Sequence, residues 1–399
     1  MHRTSIVTAL IVGCLLSPAA FAQTPATAPI EVVRLPTGGL QPRCLADAAG
    51  TVHVVYFKGD PGAGDLWYGT LRPGQGELTT PIRVSSQEHS AVAVGTIRGP
   101  QLALGRGGRV HVAWNGSSKA EPKGPKAPSG SGSAPMLYAR LNDAGTAFEP
   151  QRCVAASSTA LDGGGCVAAD QEGRVFVGWH AAQPSGPGKE ADRQFWVASS
   201  TDDGRTFAPE VAVSPKELGA CACCGTAGFA DSSGRVHFLF RAAKDNEHRD
   251  MQWLHSADHG AAFSAEPLQA WKANQCPMSS ASISQAGDGQ VVLAWETQGQ
   301  VAFARADPQA GKVGKTISPE GAPKNRKHPA VAVDPNGRVL LAWAEGTGWN
   351  KGGDVCWQVF EKNGTPVAAQ RGQREGAEGL QTWNASAAAF SNGRWVVIY

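Results

Sequence analysis

One seven-residue pattern limits what this chain can fold into more than any other feature: a Gly, often followed by Arg or Gln, then alternating apolar residues that close on an aromatic. It reads GTVHVVY from Gly50, GRVHVAW from Gly108, GRVFVGW from Gly173, GRVHFLF from Gly234, GQVVLAW from Gly289, GRVLLAW from Gly337 and GRWVVIY from Gly393. In all seven copies the aromatic falls six residues after the Gly, at Tyr56, Trp114, Trp179, Phe240, Trp295, Trp343 and Tyr399. A period of two marks a strand, and the Gly ahead of it supplies the backbone of a tight hairpin turn. An apolar segment such as HPAVAVDPNG precedes each copy; after the first six, an aromatic strand such as RQFWVASS and a further short strand follow. Four strands per unit of 48 to 65 residues is the repeat of a β-propeller blade. Because a blade buries both faces against its neighbours, heavy use of Val, Ala and Trp follows.

A second motif lies between the third and fourth strands of two units: STDDGRTF from Ser200 to Phe207 and SADHGAAF from Ser256 to Phe263, with a degenerate copy in Leu141, Asp143, Gly145 and Phe148. Its Ser and Asp oxygens accept hydrogen bonds from nearby backbone N–H groups, its Gly takes positive φ, and its aromatic packs between sheets. The pattern S-x-D-x-G-x-x-F resembles the Asp box (BNR repeat) of the sialidase-like propellers. In that family the box lies on the face away from the ligand, so it identifies the fold and not the chemistry. The resemblance implies six blades. The seven hairpins instead favour seven, the last built from the C-terminal strand and an N-terminal strand at Ile30 to Pro36, which closes the ring. Long connections at 115–135 and 180–193 interrupt blades 2 and 3 and are expected on the ligand face.

The N-terminus, MHRTSIVTALIVGCLLSPAAFAQ, places Arg3 ahead of a short apolar run ending on Ala20 and Ala22. That is the pattern of a secretory signal over residues 1–22, followed by a flexible linker over 23–29 and the propeller over 30–399. A second reading takes Ile11 to Cys14 as a lipoprotein box that would leave Cys14 acylated. No later stretch is long and apolar enough for a transmembrane helix, so a periplasmic or secreted protein is expected. Formal net charge is +2 and becomes +1 without Arg3, which gives no reason to expect a nucleic-acid partner. A monomer with a small-molecule, glycan or metal ligand is expected.

Exo-sialidases of the resembled family hold a substrate carboxylate with three Arg, attack with a Tyr assisted by a Glu, and use an Asp as acid/base, a departure from the two-carboxylate scheme. Arg43, Arg98, Arg241 and Arg326 fall where inner strands begin or second strands end, near the funnel, and Glu296 and Glu345 lie just past second strands. Tyr is scarce: Tyr56 and Tyr399 occupy the repeat aromatic position, and Tyr138 aligns with Trp253, so all three read as packing. An ordinary sialidase mechanism is therefore not expected. His53, His111 and His237 share one repeat position inside the second strand and are expected to pack between blades.

Eight Cys follow the signal, enough for four disulfides in an oxidising compartment. Cys221, Cys223 and Cys224 form a C-x-C-C run opening blade 4, and Cys276 opens blade 5. Cys221 lies thirteen residues before Gly234, and Cys276 thirteen before Gly289, so they occupy equivalent positions. Cys223 matches Met278 and Arg326 by the same count. These side chains are expected to meet near the channel mouth. One outcome is disulfides alone, such as Cys221 to Cys276 and Cys153 to Cys166. The other is a soft-metal site of Cys221, Cys223, Cys224 and Cys276 with Met278 and His180, suited to copper(I) or zinc. The stretch from CACCG through WKANQCP resembles an exported subgroup of sialidase-like proteins carrying this run. The leading expectation is ligand or metal binding at the Cys cluster, with Arg98, Arg241, Arg326 and Glu296 as ligand contacts. Alternatives are a glycoside hydrolase of exo-sialidase type and a protein-interaction scaffold.

Overall fold

The computed structural model describes Met1 and residues 30–399, apart from 73, 127–132, 185–187, 349–351, 375–383 and 391; residues 2–22 of the expected signal, with Cys14, lie outside the described residues. Each of the seven repeats becomes the second strand of its own sheet. The inner strands of blades 1 to 7 are Gly39–Ala46, Gln101–Leu104, Cys166–Ala169, Ala227–Ala230, Ala281–Gln285, Lys327–Val333 and Ser386–Ala389. Each contacts the next, and the seventh contacts the first, so the ring is closed. The chain is thus a seven-bladed propeller; the six blades of the sialidase resemblance do not apply.

Blades 1 to 6 carry four antiparallel strands, and blade 7 has three among the described residues. Its outer strand is Ile30–Val33, which runs parallel to Trp395–Ile398 in the register Ile30 to Trp395 through Val33 to Ile398. This N-terminal strand is shorter than the expected Ile30 to Pro36, but the hydrogen bonds continue: Tyr399 N–H donates to the Val33 carbonyl (3.1 Å), and Leu35 N–H to that of Tyr399 (2.8 Å). Val33 and Leu35 fill an apolar cluster with Val52, Leu71, Val396 and Ile398.

The residue after the hairpin Gly has a structural reason to be Arg. Asp170, Asp231 and Asp334, three residues before their Gly, each accept from the backbone N–H of Arg174, Arg235 and Arg338 and pair with the same guanidinium at 2.6, 2.6 and 2.8 Å. The Asp boxes form the expected turns. Ser200 Oγ accepts from Gly204 N–H (3.0 Å) and Asp202 Oδ1 from Thr206 N–H (2.8 Å), and the second box repeats this through Ser256 and Asp258. Phe207 then stands edge-on to Tyr138 of the preceding blade, at 4.8 Å between ring centres. His53 and His111 each contact a Tyr hydroxyl of their own blade at 2.7 Å, and His237 stacks on Trp253 of its own blade, so these contacts are made within a blade and not between blades as expected.

Hairpins joining strands 1 and 2 and those joining strands 3 and 4 open on the same face; Asp203 of the box donates its backbone N–H to the carbonyl of the hairpin residue Gly173 at 2.8 Å. Connections from strand 2 to 3, and from each blade to the next, therefore gather on the opposite face, and both long connections start and end there. The inner strands surround an axial cavity of about 310 Å³ whose walls combine apolar side chains such as Leu102, Val167, Phe229 and Val331 with polar ones that include Arg43, Gln101, Ser284 and Gln285.

Candidate metal centre

Cys221 to Cys224 lie in the connection entering blade 4, and Cys276 lies in the equivalent connection entering blade 5. A turn in which Cys224 N–H faces the Cys221 carbonyl (3.5 Å) folds the C-x-C-C run back on itself. As a result Cys221 Sγ is 2.9 Å from Cys224 Sγ and 3.5 Å from Cys223 Sγ. The three sulfurs all lie within 4.8 Å of one another. Cys223 is disulfide-bonded to Cys276, with their Cα atoms 6.3 Å apart, and this bridge joins blades 4 and 5. Two pairings named from the sequence are corrected here: Cys276 takes Cys223 and not Cys221, while Cys153 and Cys166 are free thiols. The turn buries Cys221 against Cys224 and leaves Cys223 partly accessible beside exposed Cys276.

The buried pair shares its protons unequally. Burial pushes the Cys224 thiol up, but the hydrogen bond from Cys221, the Arg241 charge and the Ser279 hydroxyl and backbone outweigh it and bring it below the ordinary thiol range. Its hydrogen bond to Cys224, then burial, hold Cys221 well above that range. The two thiols titrate as a pair, and the Arg241 charge and the Ser279 hydroxyl favour the anion on the Cys224 side. Arg241 reaches Cys224 through Ser279: its Nε donates to Ser279 Oγ at 2.6 Å, and Ser279 Oγ lies 3.5 Å from the Cys224 sulfur. Arg249 adds a second positive charge while pairing with Glu190 at 2.7 Å, and the other oxygen of Glu190 accepts from Ala222 N–H at 2.7 Å. Glu190, Arg249, Ser279 and Lys327 carry no motif of their own. Glu190 lies in the long 180–193 connection, where the hairpin register offers no count.

The remaining expected site residues divide into those beside the sulfurs and those held elsewhere. His180 is adjacent but presents Nε2 to the Cys224 carbonyl (3.1 Å), not to the converging sulfurs; burial, then Arg193, lowers it to about 3, so its ring is neutral. Met278 occupies the same connection two residues after Cys276, half-buried and with φ of 46°. Arg241 also donates to the carbonyls of Arg249 and Glu296. Arg98 is bound to Asp162 and to the Val94 carbonyl. Arg326 pairs with Glu345 (2.7 Å), donates to the Pro319 and Glu320 carbonyls, and lies over Trp343. Each of the three guanidiniums is engaged by groups of the chain itself.

Glu296 is buried, with Oε1 3.1 Å from Lys327 Nζ and Oε2 without a hydrogen-bond partner. Burial raises it to about 7, against the opposing charges of Lys327 and Arg241. Between its ordinary value of 4.5 and about 7 the folded chain holds a proton that the unfolded chain has released, so this group makes stability fall as pH rises through that window. Glu296→Gln should flatten that fall, leaving the variant more stable than the parent at pH 8 by about 3 kcal/mol, of the order given by 1.36 kcal/mol per pKa unit. Urea unfolding at pH 5 and pH 8 measures it; an unchanged pH dependence contradicts the assignment.

Fold and face together define a seven-bladed β-propeller with a thiol cluster on the side away from its Asp boxes. Among solved structures it is similar to a protein of unknown function from Dyadobacter fermentans DSM 18053, with TM-score 0.53 and 14% identity over 79% of this chain and 93% of that one. It is also similar to the Hadza microbial sialidase Hz136 (TM-score 0.52, 13% identity, 87% of this chain and 75% of that one). An α-L-arabinanase from Penicillium chrysogenum matches at TM-score 0.50 and 14% identity, over 85% of this chain and all of that one. These likenesses establish the propeller fold. No family model and no curated protein matches the chain.

Proposed function

We propose that this propeller binds a soft metal ion on its cysteine face, as an exported monomer whose working part is residues 30–399 and whose residues 1–22 serve as the secretory signal. The observation that supports it is the convergence of Cys221, Cys223 and Cys224 sulfurs within 4.8 Å. With Cys223 in a disulfide, Cys221 and Cys224 are the two thiols of the cluster, already ionised in part and faced by Arg241 and Arg249. Two thiolates suit copper(I), which accepts few soft ligands, better than zinc, which takes four donors in structural sites. The Cys223–Cys276 bridge fits an oxidising compartment such as the periplasm or the exterior.

Glycoside hydrolysis of the exo-sialidase type has less support. Tyr56, Tyr68 and Tyr138 are buried in blade packing, Tyr399 lies in the blade 6–7 cluster, and Arg98, Arg241 and Arg326 are each engaged by other groups. The test is anaerobic titration of the full mature chain with copper(I) against a chromophoric chelator. One copper per chain is expected, lost in the Cys221→Ser/Cys224→Ser double variant and kept in Cys153→Ser. No binding, or binding that survives the double variant, overturns the proposal.

A further inference from the structure

Four sulfurs form an unbroken chain of contacts from solvent to interior, bent at Cys221 because the Cys223 and Cys224 sulfurs also lie within 4.8 Å of each other. Cys276 is exposed and bonded to Cys223; Cys223 Sγ is 3.5 Å from Cys221 Sγ; Cys221 Sγ is 2.9 Å from Cys224 Sγ, and these last two side chains are about 1% exposed. The 3.5 Å contact puts the Cys221 sulfur beside a sulfur of the disulfide, and exchange proceeds by attack of a thiolate on a disulfide sulfur. Cys221 and Cys224 are also spaced as C-x-x-C, the separation at which two Cys on one turn can bridge. We propose that these cysteines form a thiol–disulfide relay, which moves a disulfide between the exposed Cys223–Cys276 position and the buried Cys221–Cys224 pair.

The steps balance without an outside oxidant or reductant. Cys221 passes its proton to Cys224 across their contact, and its sulfur attacks Cys223 Sγ. A Cys221–Cys223 bond forms as the Cys223–Cys276 bond breaks, and Cys276 leaves as a thiolate at the surface. Cys224 then gives up that proton to Cys276 through solvent and attacks Cys221 Sγ, releasing Cys223. One disulfide has been exchanged for another, and an electron pair has moved from the buried sulfurs to the exposed ones. The relay would present two reducing thiols, Cys223 and Cys276, to a disulfide-bearing substrate docked on this face. Because every step uses cysteines alone, it does not depend on the metal reading.

The test uses the folded mature chain freed of metal by chelator and exposed to N-ethylmaleimide, followed by acid quenching and peptide mapping of bridges. If the relay operates, Cys276 becomes alkylated without added reductant while a Cys221–Cys224 bridge appears in equal amount. Cys221→Ser should slow alkylation of Cys276 by at least about 100-fold, since its attacking sulfur is gone. Cys224→Ser should instead accumulate the Cys221–Cys223 bridge, which serves as the reading if Cys221→Ser fails to fold. Recovery of Cys223–Cys276 alone after prolonged exposure, or equal Cys276 alkylation in parent and Cys221→Ser, overturns the relay. Neither result bears on copper(I) stoichiometry, so the two proposals fail separately.

Discussion

Replacing Asp203 by Ala should lower the stability of the ring by about 3–5 kcal/mol, because it removes a buried carboxylate that two guanidiniums share. Asp203 belongs to the Asp box of blade 3 and is 3% exposed, yet its partners lie in blade 2: Arg109 at 2.5 Å, Arg140 at 3.0 Å and His111 at 3.6 Å. Arg140 is itself 2% exposed and retains Glu149 at 2.6 Å, so part of its charge would still be met. Asp203→Asn keeps the shape and one acceptor and should cost less than Ala. Urea unfolding followed by Trp fluorescence checks the order. A loss under 1 kcal/mol for Ala would mean that water reaches the guanidiniums and that the two blades are not pinned here.

Deleting residues 30–35 should have a larger and qualitatively different effect. Blade 7 would lose its outer strand, leaving the edge of Trp395–Ile398 unpaired and uncovering the cluster that Val33 and Leu35 fill. Loss of these two side chains from the core alone removes roughly 3–6 kcal/mol, at about 1.5–3 kcal/mol each. The shortened chain should therefore lose its single sharp thermal transition in calorimetry and bind apolar dyes before it unfolds. A sharp transition within a few degrees of the parent would show that blade 7 closes the ring with two strands.

The architecture was legible because its signal is periodic. Seven copies with the aromatic always six residues past the Gly report a geometric requirement that every blade shares, and the Asp boxes report the turn on one face. The site was only partly legible, since register counting locates a backbone position but not the direction of a side chain in an irregular connection. Cys221 and Cys276 do occupy equivalent positions, yet the bridge forms through Cys223, because the turn at Cys224 directs Cys221 inward. The engagement of Arg241 and Glu296 with Ser279, Lys327 and backbone carbonyls depends on neighbouring blades that no local pattern encodes.

The parallel run of Ile30–Val33 beside Trp395–Ile398 also fixes how the molecule would be presented if held from its upstream end. The partner strand leaves the Gly393 hairpin on the Asp-box face and rises toward the cysteine face, and Ile30 begins level with Trp395. Anything joined to the polypeptide ahead of Ile30 is therefore attached at the Asp-box side. A lipid, surface or fused domain placed there would leave Cys276 facing outward toward whatever diffuses past.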